Sequence, residues 1–307
     1  MDKKIVVTIV GRDRPGIVAG ITTALANLNA NIVKARASSL SDLFLMMLVI
    51  DVKEVKVPLS GLLDKLKSEG EKVGVGVSVE TGDNYKKEKR LIVLDMDDTV
   101  VDTEVINELA KMAGVEKEVK AITAAAMEGK MEFKEALTKR VGLLKGLPVK
   151  KIYEFRSRIP IVPGALEVIS ELKKTGFVTV LMTGSFDIVA NYVGKKLGFD
   201  YVFANKLMVK NGKLTGEVKG KVLSPESKLE LLKKIAKKEH IPLEECAAVG
   251  DGANDLLIIK NAGLGIGFNP KKLIKKEADA FVNVKDLKVL LAFVGGGKLR
   301  EDIKSRL

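Results

Sequence analysis

The chain of 307 residues has one cysteine, one histidine and no tryptophan, and glutamine is absent as well. A single cysteine, Cys246, excludes an intrachain disulfide and predicts a reducing compartment. Its neighbours Ala247, Ala248 and Val249 predict a small buried hydrophobe. The lone histidine, His240, excludes Ser-His-Asp and Cys-His constellations and the usual zinc spacings. Chemistry here must use carboxylates, hydroxyls, a lysine and a hard metal ion. No apolar run approaches the roughly 20 residues of a membrane span. The start, with Asp2 to Lys4 before a short apolar run, lacks signal-peptide architecture. The expectation is a soluble, cytoplasmic protein with no membrane contact. A net charge of +12 admits nucleic acid or an anionic substrate, or simply a lysine-coated surface. Scatter of the lysines along helices favours the surface reading.

The length allows two domains. Residues 1–80 read β-α-β-β-α-β: strands at Ile5–Val10, Asn31–Ala37, Leu43–Val52 and Val73–Val79, helices at Ile17–Leu28 and Leu59–Ser68. Gly74 and Gly76 in the last strand are read as tolerated at a sheet edge. RNA-binding modules share this topology but need aromatics for base stacking. Only Phe44 is available, so no nucleic-acid partner is expected. Gly-x-Asp-x-Pro-Gly-Ile at 11–17 and Asn31-Ile32 resemble the ACT domain, a regulatory module that binds amino acids. The resemblance implies a regulatory ligand near Asp13, Gly16 and Asn31; a helix-capping role serves Asp13 equally well. Residues 81–90 are polar and aperiodic and read as a linker.

From Leu91 the pattern is α/β. Leu91–Leu94 predicts a short buried strand of a parallel sheet. It runs into Asp95, Asp97 and Asp98, at the strand end where open α/β sheets bind ligands. Helical patterns fill about 103–160 and read as an inserted helical cap. There Phe133, Leu137, Arg140 and Leu144 share one helix face. A guanidinium on an apolar stripe requires an anion, either a ligand or a structural carboxylate. Further on, Phe177–Met182 leads into Thr183-Gly184-Ser185, and a helix starts near Phe186. Asn211-Gly212 predicts a hairpin, and Ser224-Pro225 opens a helix with Lys228 in its first turn. Cys246–Val249 leads into Gly250-Asp251-Gly252-Ala253-Asn254-Asp255, whose glycines let backbone pass close to a ligand or metal. Strands near Gly265–Phe268 and Ala280–Val284 and a helix over Lys285–Val294 close the chain, before a charged tail.

Asp-x-Asp-x-Thr at 95–99, Thr183, Lys228 and Gly-Asp-x-x-x-Asp at 250–255 occur in the order and spacing of the haloacid dehalogenase (HAD) superfamily of aspartate-nucleophile phosphatases. Within it, Leu91–Val294 most resembles the phosphoserine phosphatases. Glu104, Met127-Glu128-Gly129-Lys130, Phe133, Arg140 and Gly-Ser-Phe-Asp at 184–187 extend the likeness. The implied fold is a HAD-type Rossmann-like parallel sheet over 91–307 with a helical-bundle cap, preceded by a ferredoxin-like ACT domain.

The resemblance implies Asp95 as nucleophile, Asp97 as proton donor and acceptor, and Thr183 and Lys228 on the phosphoryl oxygens. It implies Mg²⁺ on Asp95, the Asp97 carbonyl and Asp251, with Asp255 behind them. Phosphoserine would meet Arg140 through its carboxylate and Glu104 through its ammonium, beneath Met127 and Phe133. Gly184, Ser185 and Asn254 would hold its phosphate. The implied place is the last step of serine biosynthesis, with serine as possible effector and a homodimer through ACT pairing. Two departures stand out. Asp98 replaces the usual Ser and has no assigned role. Thr183-Gly184-Ser185 replaces Ser-Gly-Gly, which keeps the hydroxyl but adds a side chain at 185. Two alternatives remain: a HAD enzyme for another small phosphomonoester, and an amino-acid-sensing regulator with a vestigial core.

Overall fold

A computed structural model describes residues 4–40, 42–127 and 130–294, with backbone alone at Leu40, Asp83, Asn84 and Met127. Glu128-Gly129 and the charged tail lie outside the described residues. The first segment forms β1 (Lys4–Arg12), α1 (Ile17–Asn27), β2 (Asn31–Leu40), β3 (Leu43–Asp51), α2 (Leu59–Lys72) and β4 (Val75–Thr81). All pairings among these strands are antiparallel, in the order β2-β3-β1-β4. Alternation along β1 explains the layers. Ile5, Val7 and Ile9 pack with residues of α1 and α2, while Val6 faces the other side of the sheet.

The stretch 81–90, expected as a linker, is partly structured: α3 (Gly82–Lys86) follows β4 directly. Tyr85 on α3 is fully buried against Val6, Met47 and Val49. One helical turn is too short to display a 3.6-residue period, so a single aromatic anchor in a polar stretch leaves no periodic signal.

The second segment runs β5 (Leu91–Leu94), α4 (Val105–Ala113), α5 (Glu116–Met127), α6 (Phe133–Leu143), α7 (Val149–Ser157), α8 (Ala165–Lys174) and β6 (Val178–Phe186). It continues through α9 (Asp187–Leu197), β7 (Tyr201–Lys210), β8 (Lys213–Lys219), α10 (Pro225–Lys238), β9 (Cys246–Gly250) and α11 (Leu256–Asn261). Last come β10 (Leu264–Phe268), α12 (Lys272–Glu277), β11 (Ala280–Val282) and α13 (Leu290–Val294). Strands β11-β10-β9-β5-β6-β7 form a parallel sheet, with β8 antiparallel on β7. The closing helix is shorter than expected, because a 3₁₀ turn over Leu287–Val289 precedes α13.

Five helices, α4–α8, stand between β5 and β6, and the first four, α4–α7, precede Pro163. The Asn211-Gly212 hairpin reaches them: Val149 N–H donates to the Gly212 carbonyl at 2.9 Å, and Gly146 N–H to the Leu214 carbonyl at 2.9 Å. Both turn residues have positive φ, 51° and 72°, as a twisted two-residue hairpin demands.

The two segments share one eleven-stranded sheet, because β4 pairs antiparallel with β11 through Ser78/Ala280 and Val77/Phe281. β4 is therefore not the edge that its glycines suggested. A Cβ on Gly76 would stand 2.2 Å from the Phe281 carbonyl oxygen, so glycine admits the neighbouring strand. Flanking contacts tie α2 to α12: Lys67 Nζ donates to the Ala278 carbonyl at 2.5 Å, and Lys275 pairs with Glu71 at 2.5 Å. Among the described residues no helix is long and apolar enough to cross a membrane.

Candidate active site

Three neighbouring parallel strands, β9, β5 and β6, end at one level: Leu94 is in register with Val249 and Leu181. Asp95 extends the ladder by one bond, its N–H donating to the Val249 carbonyl at 2.9 Å. Asp95, Thr183 and Asp251 are thus brought together by topology alone, as carboxyl ends of adjacent strands. The carboxylates of Asp95, Asp251 and Asp255 each place an oxygen within 4.8 Å of the others, and all three residues are buried. A buried, all-oxygen donor set suits a hard divalent cation.

Lys228 completes the floor. It is 1% exposed, and its ammonium donates to Asp95 Oδ1 at 2.6 Å and Asp255 Oδ1 at 2.7 Å. The helix that carries it begins as expected, with the Ser224 hydroxyl accepting from Ser227 N–H and Pro225 in the first turn. Burial, then the charge of Asp255, pushes the Asp95 carboxyl well above its ordinary range, and Lys228 opposes both. Burial would lower the Lys228 ammonium, yet Asp255 and Asp95 together hold it above its ordinary value.

The glycines around Asp251 also make room within their own loop. A Cβ on Gly250 would lie 2.4 Å from the Asp255 carboxyl, and one on Gly252 would lie 2.7 Å from Asn254 Oδ1. They admit the loop's own acid and amide beside the strand end.

Thr183, Gly184 and Ser185 lie on an irregular stretch of β6. Pairing with β7 holds through Met182 and resumes only at Phe186–Asn205. The helix starts at Asp187, one residue later than expected. Asn205, which sequence reasoning missed, organises the stretch. Its amide donates to the Gly184 carbonyl at 2.7 Å and its Oδ1 accepts from Leu223 N–H at 2.8 Å. Gly184 sits beneath Phe133, where a Cβ would approach the ring to 3.2 Å. The Ser185 side chain is buried and its hydroxyl lies beside the Asp97 carboxylate.

Above these groups lies a cavity of about 310 Å³. Asp95, Asp97, Thr183, Gly184, Ser185, Asp251 and Asn254 line its core side. Glu104, Phe133 and Arg140 line the side of the helical insertion. Lys228 and Asp255 lie under it. Thr123, Met131 and Lys271 also line it without having been singled out from the sequence. Met127 ends α5, but its side chain is outside the described residues.

Arg140 is hydrogen-bonded only to neutral oxygens, Thr123 Oγ1 and the Ala136 carbonyl, both at 3.3 Å. Among the described residues no carboxylate pairs with it. Burial lowers its basicity, against the charges of Glu104 and Asp97.

Asp98 is outside the cavity wall. Its backbone is left-handed, φ 52°, an uncommon conformation for a residue with a side chain. Asp13, Gly16 and Asn31 are exposed. The N-cap of α1 is Gly16, with no side-chain cap bond, so Asp13 does not fill the capping role offered for it.

Asp97 is 9% exposed, and its carboxylate lies beside the Ser185 hydroxyl. Burial, then Glu104 and Asp95, pushes its carboxyl well above the ordinary range, against a hydrogen bond from Ser185. A carboxyl raised on folding binds protons more tightly in the native state. Its contribution therefore falls as pH rises above the unfolded value of about 3.9. Asp97→Asn is expected to raise the melting temperature of the metal-free protein by a few degrees at pH 7.5, the scale of desolvating one buried polar group, about 1–3 kcal/mol. At pH 4 the gain should be much smaller. A variant that melts lower than wild type at pH 7.5 would contradict this account.

Comparison with known proteins agrees with the geometry. A family model of haloacid dehalogenase-like hydrolases matches residues 92–260, and an ACT domain model matches residues 3–80. The phosphoserine phosphatase of Methanocaldococcus jannaschii is 50% identical, over 68% of this chain and 99% of its own. That of Archaeoglobus fulgidus is 41% identical, over 92% of this chain and 81% of its own. A solved substrate-bound phosphoserine phosphatase complex superposes with a TM-score of 0.64 at 50% identity, covering 68% of this chain and all of that one. A HAD family hydrolase of Salmonella enterica serovar Typhi shares the fold over 95% of this chain and 98% of its own, with a TM-score of 0.84 at 23% identity. The chain therefore belongs to the haloacid dehalogenase-like hydrolases, in their phosphoserine phosphatase branch, with an ACT domain ahead of the hydrolase core.

Proposed function

We propose that the chain hydrolyses O-phospho-L-serine to L-serine and phosphate through an aspartyl-phosphate, as the last step of serine synthesis. The observation that carries the substrate is Arg140: a half-buried guanidinium lining the same cavity as Glu104, with only neutral oxygens as hydrogen-bond partners among the described residues. Phosphoserine supplies a carboxylate for Arg140 and an ammonium for Glu104. Phe133 covers the space between the insertion and Gly184, which keeps water from the reacting atoms.

Asp95 is the nucleophile. One carboxylate oxygen forms a bond to phosphorus as the bond to the serine oxygen breaks, leaving a phosphoryl group on Asp95. Asp97, whose carboxyl burial and the neighbouring acids shift toward the protonated form, gives its proton to the departing alkoxide. It then takes a proton from the water that attacks phosphorus and frees Asp95. Thr183, backbone N–H groups of the irregular stretch, and Lys228 draw charge from the phosphoryl oxygens. Asn254 orients the phosphate. Mg²⁺, which the carboxylates of Asp95 and Asp251 and the Asp97 carbonyl would hold with Asp255 behind, supplies positive charge that lets one anion approach another.

Replacing Arg140 by alanine tests the reading. Turnover per KM on phosphoserine should fall about 10²–10³-fold, the scale of losing one partner of a buried charge pair. Phosphoethanolamine, which lacks the carboxylate, should change little. An unchanged rate on phosphoserine would favour another phosphomonoester as substrate. The vestigial-regulator alternative has against it the complete set of Asp95, Asp97, Thr183, Lys228 and Asp251.

The ACT domain points to amino-acid binding. We place serine, as effector, near Asp13, Gly16 and Asn31, with pairing of ACT domains into a homodimer and a cytoplasmic location. The shared sheet and the α2–α12 contacts join the ACT domain to the hydrolase core.

A further inference from the structure

Lys271 follows β10 in the loop Asn269-Pro270-Lys271 and precedes α12. Two of its groups hold one residue. Its N–H donates to the Asp251 carbonyl at 2.8 Å, and its ammonium lies 2.9 Å from Asp251 Oδ2. The same ammonium is 3.7 Å from Glu104 Oε1. One cation thus spans the end of β9 and the start of α4, where the core meets the helical insertion.

The backbone that delivers this lysine is fixed. Asn269 has left-handed φ, 43°, and its N–H donates to the Val282 carbonyl at 2.8 Å. Pro270 restricts the next residue and packs where Gly267 lacks a side chain: a Cβ there would be 2.8 Å from the ring. A lysine on a free loop would be a solvated charge; this one is aimed.

We infer that Lys271 is a positioning residue: it fixes the Asp251 carboxylate for a divalent cation and, through Glu104, the corner of the cavity that takes a substrate's ammonium. A carboxylate offers two oxygens. Holding Oδ2 with an ammonium stops the group rotating and leaves Oδ1 for the ion, as outer partners of metal ligands do elsewhere. At Glu104 the ammonium restrains a carboxylate that Asp97, Asp98 and Asp251 repel and Arg140 attracts, so that it stays aimed at the cavity. The second half rests on the substrate proposed above; the first does not.

The test is calorimetric titration of Mg²⁺ into the full-length protein without substrate. Lys271→Met should weaken Mg²⁺ binding about 10–100-fold, and Lys271→Arg should recover most of it. At saturating Mg²⁺, KM for phosphoserine should rise more in Lys271→Met than KM for phosphoglycolate, which keeps the carboxylate but lacks the amine. The side chain is 46% exposed, so the variant should melt with wild type; Lys271→Gln is the second variant if it does not. Wild-type Mg²⁺ affinity in both neutral variants would overturn the inference. Weakened Mg²⁺ binding together with a wild type inert on phosphoserine would support the role of Lys271 and overturn the substrate reading.

Discussion

Asp95→Asn is expected to lower phosphoserine turnover about 10⁵–10⁶-fold, the range seen when a covalent nucleophile is removed. The amide has nearly the shape of the carboxylate but carries no charge and is a poor nucleophile toward phosphorus. The fold should tolerate it well. Asp95 is 3% exposed, and burial and Asp255 already work against its charge. Lys228 keeps its 2.7 Å contact with Asp255 as a remaining partner. The melting temperature of the metal-free variant should equal or exceed that of wild type, which separates lost chemistry from lost structure. Brief reaction with labelled phosphoserine, quenched in acid, should leave label on wild type and none on the variant. Full activity in Asp95→Asn would end the covalent mechanism.

Lys228→Met should damage both rate and stability. The side chain is 1% exposed, and its ammonium is the shared partner of two buried carboxylates. Methionine fills a similar volume but leaves Asp95 and Asp255 unpaired in a dry site. Breaking a buried pair from one side costs about 3–5 kcal/mol. Loss of one donor to the phosphoryl oxygens costs about 10²–10³ in rate. The denaturant midpoint of the metal-free protein should fall, and adding Asp255→Asn should restore part of it by removing one orphaned charge. Folding raises the Lys228 ammonium, so its contribution is fully present below about pH 10 and is lost only at higher pH. The gap between variant and wild type attributable to Lys228 should therefore be flat from pH 6 to 9. An unchanged midpoint would mean that the two carboxylates are protonated and need no partner.

Most of the candidate site was legible because each of its residues belongs to a local pattern. An apolar run ending in Asp95, another ending in Thr183, a third ending in Asp251 and a capped helix carrying Lys228 are all short-range signals. Parallel sheets place strand ends together by construction. Arg140 was legible for another reason: a charge on an apolar helix face demands a partner, and no carboxylate among the described residues pairs with it. What the sequence misread depends on approach between distant segments. Gly76 looks like an edge glycine until Phe281 is seen against it. Tyr85 looks like part of a linker until Val6 and Met47 cover it. Asn205 is one polar residue in a strand, and only its bonds to Gly184 and Leu223 show that it shapes the Thr183–Ser185 stretch.

By itself, the sequence determined the two-part organisation, the sheet-end carboxylates, the helix start at Lys228 and the class of reaction, because period, caps and turns act within a few residues. Only the tertiary structure decided that both parts share one sheet and that Gly250 makes room for Asp255. It also decided that Lys271 joins Asp251 to Glu104. These depend on which segments meet across the fold, and contact between residues far apart in sequence leaves no periodic trace in either.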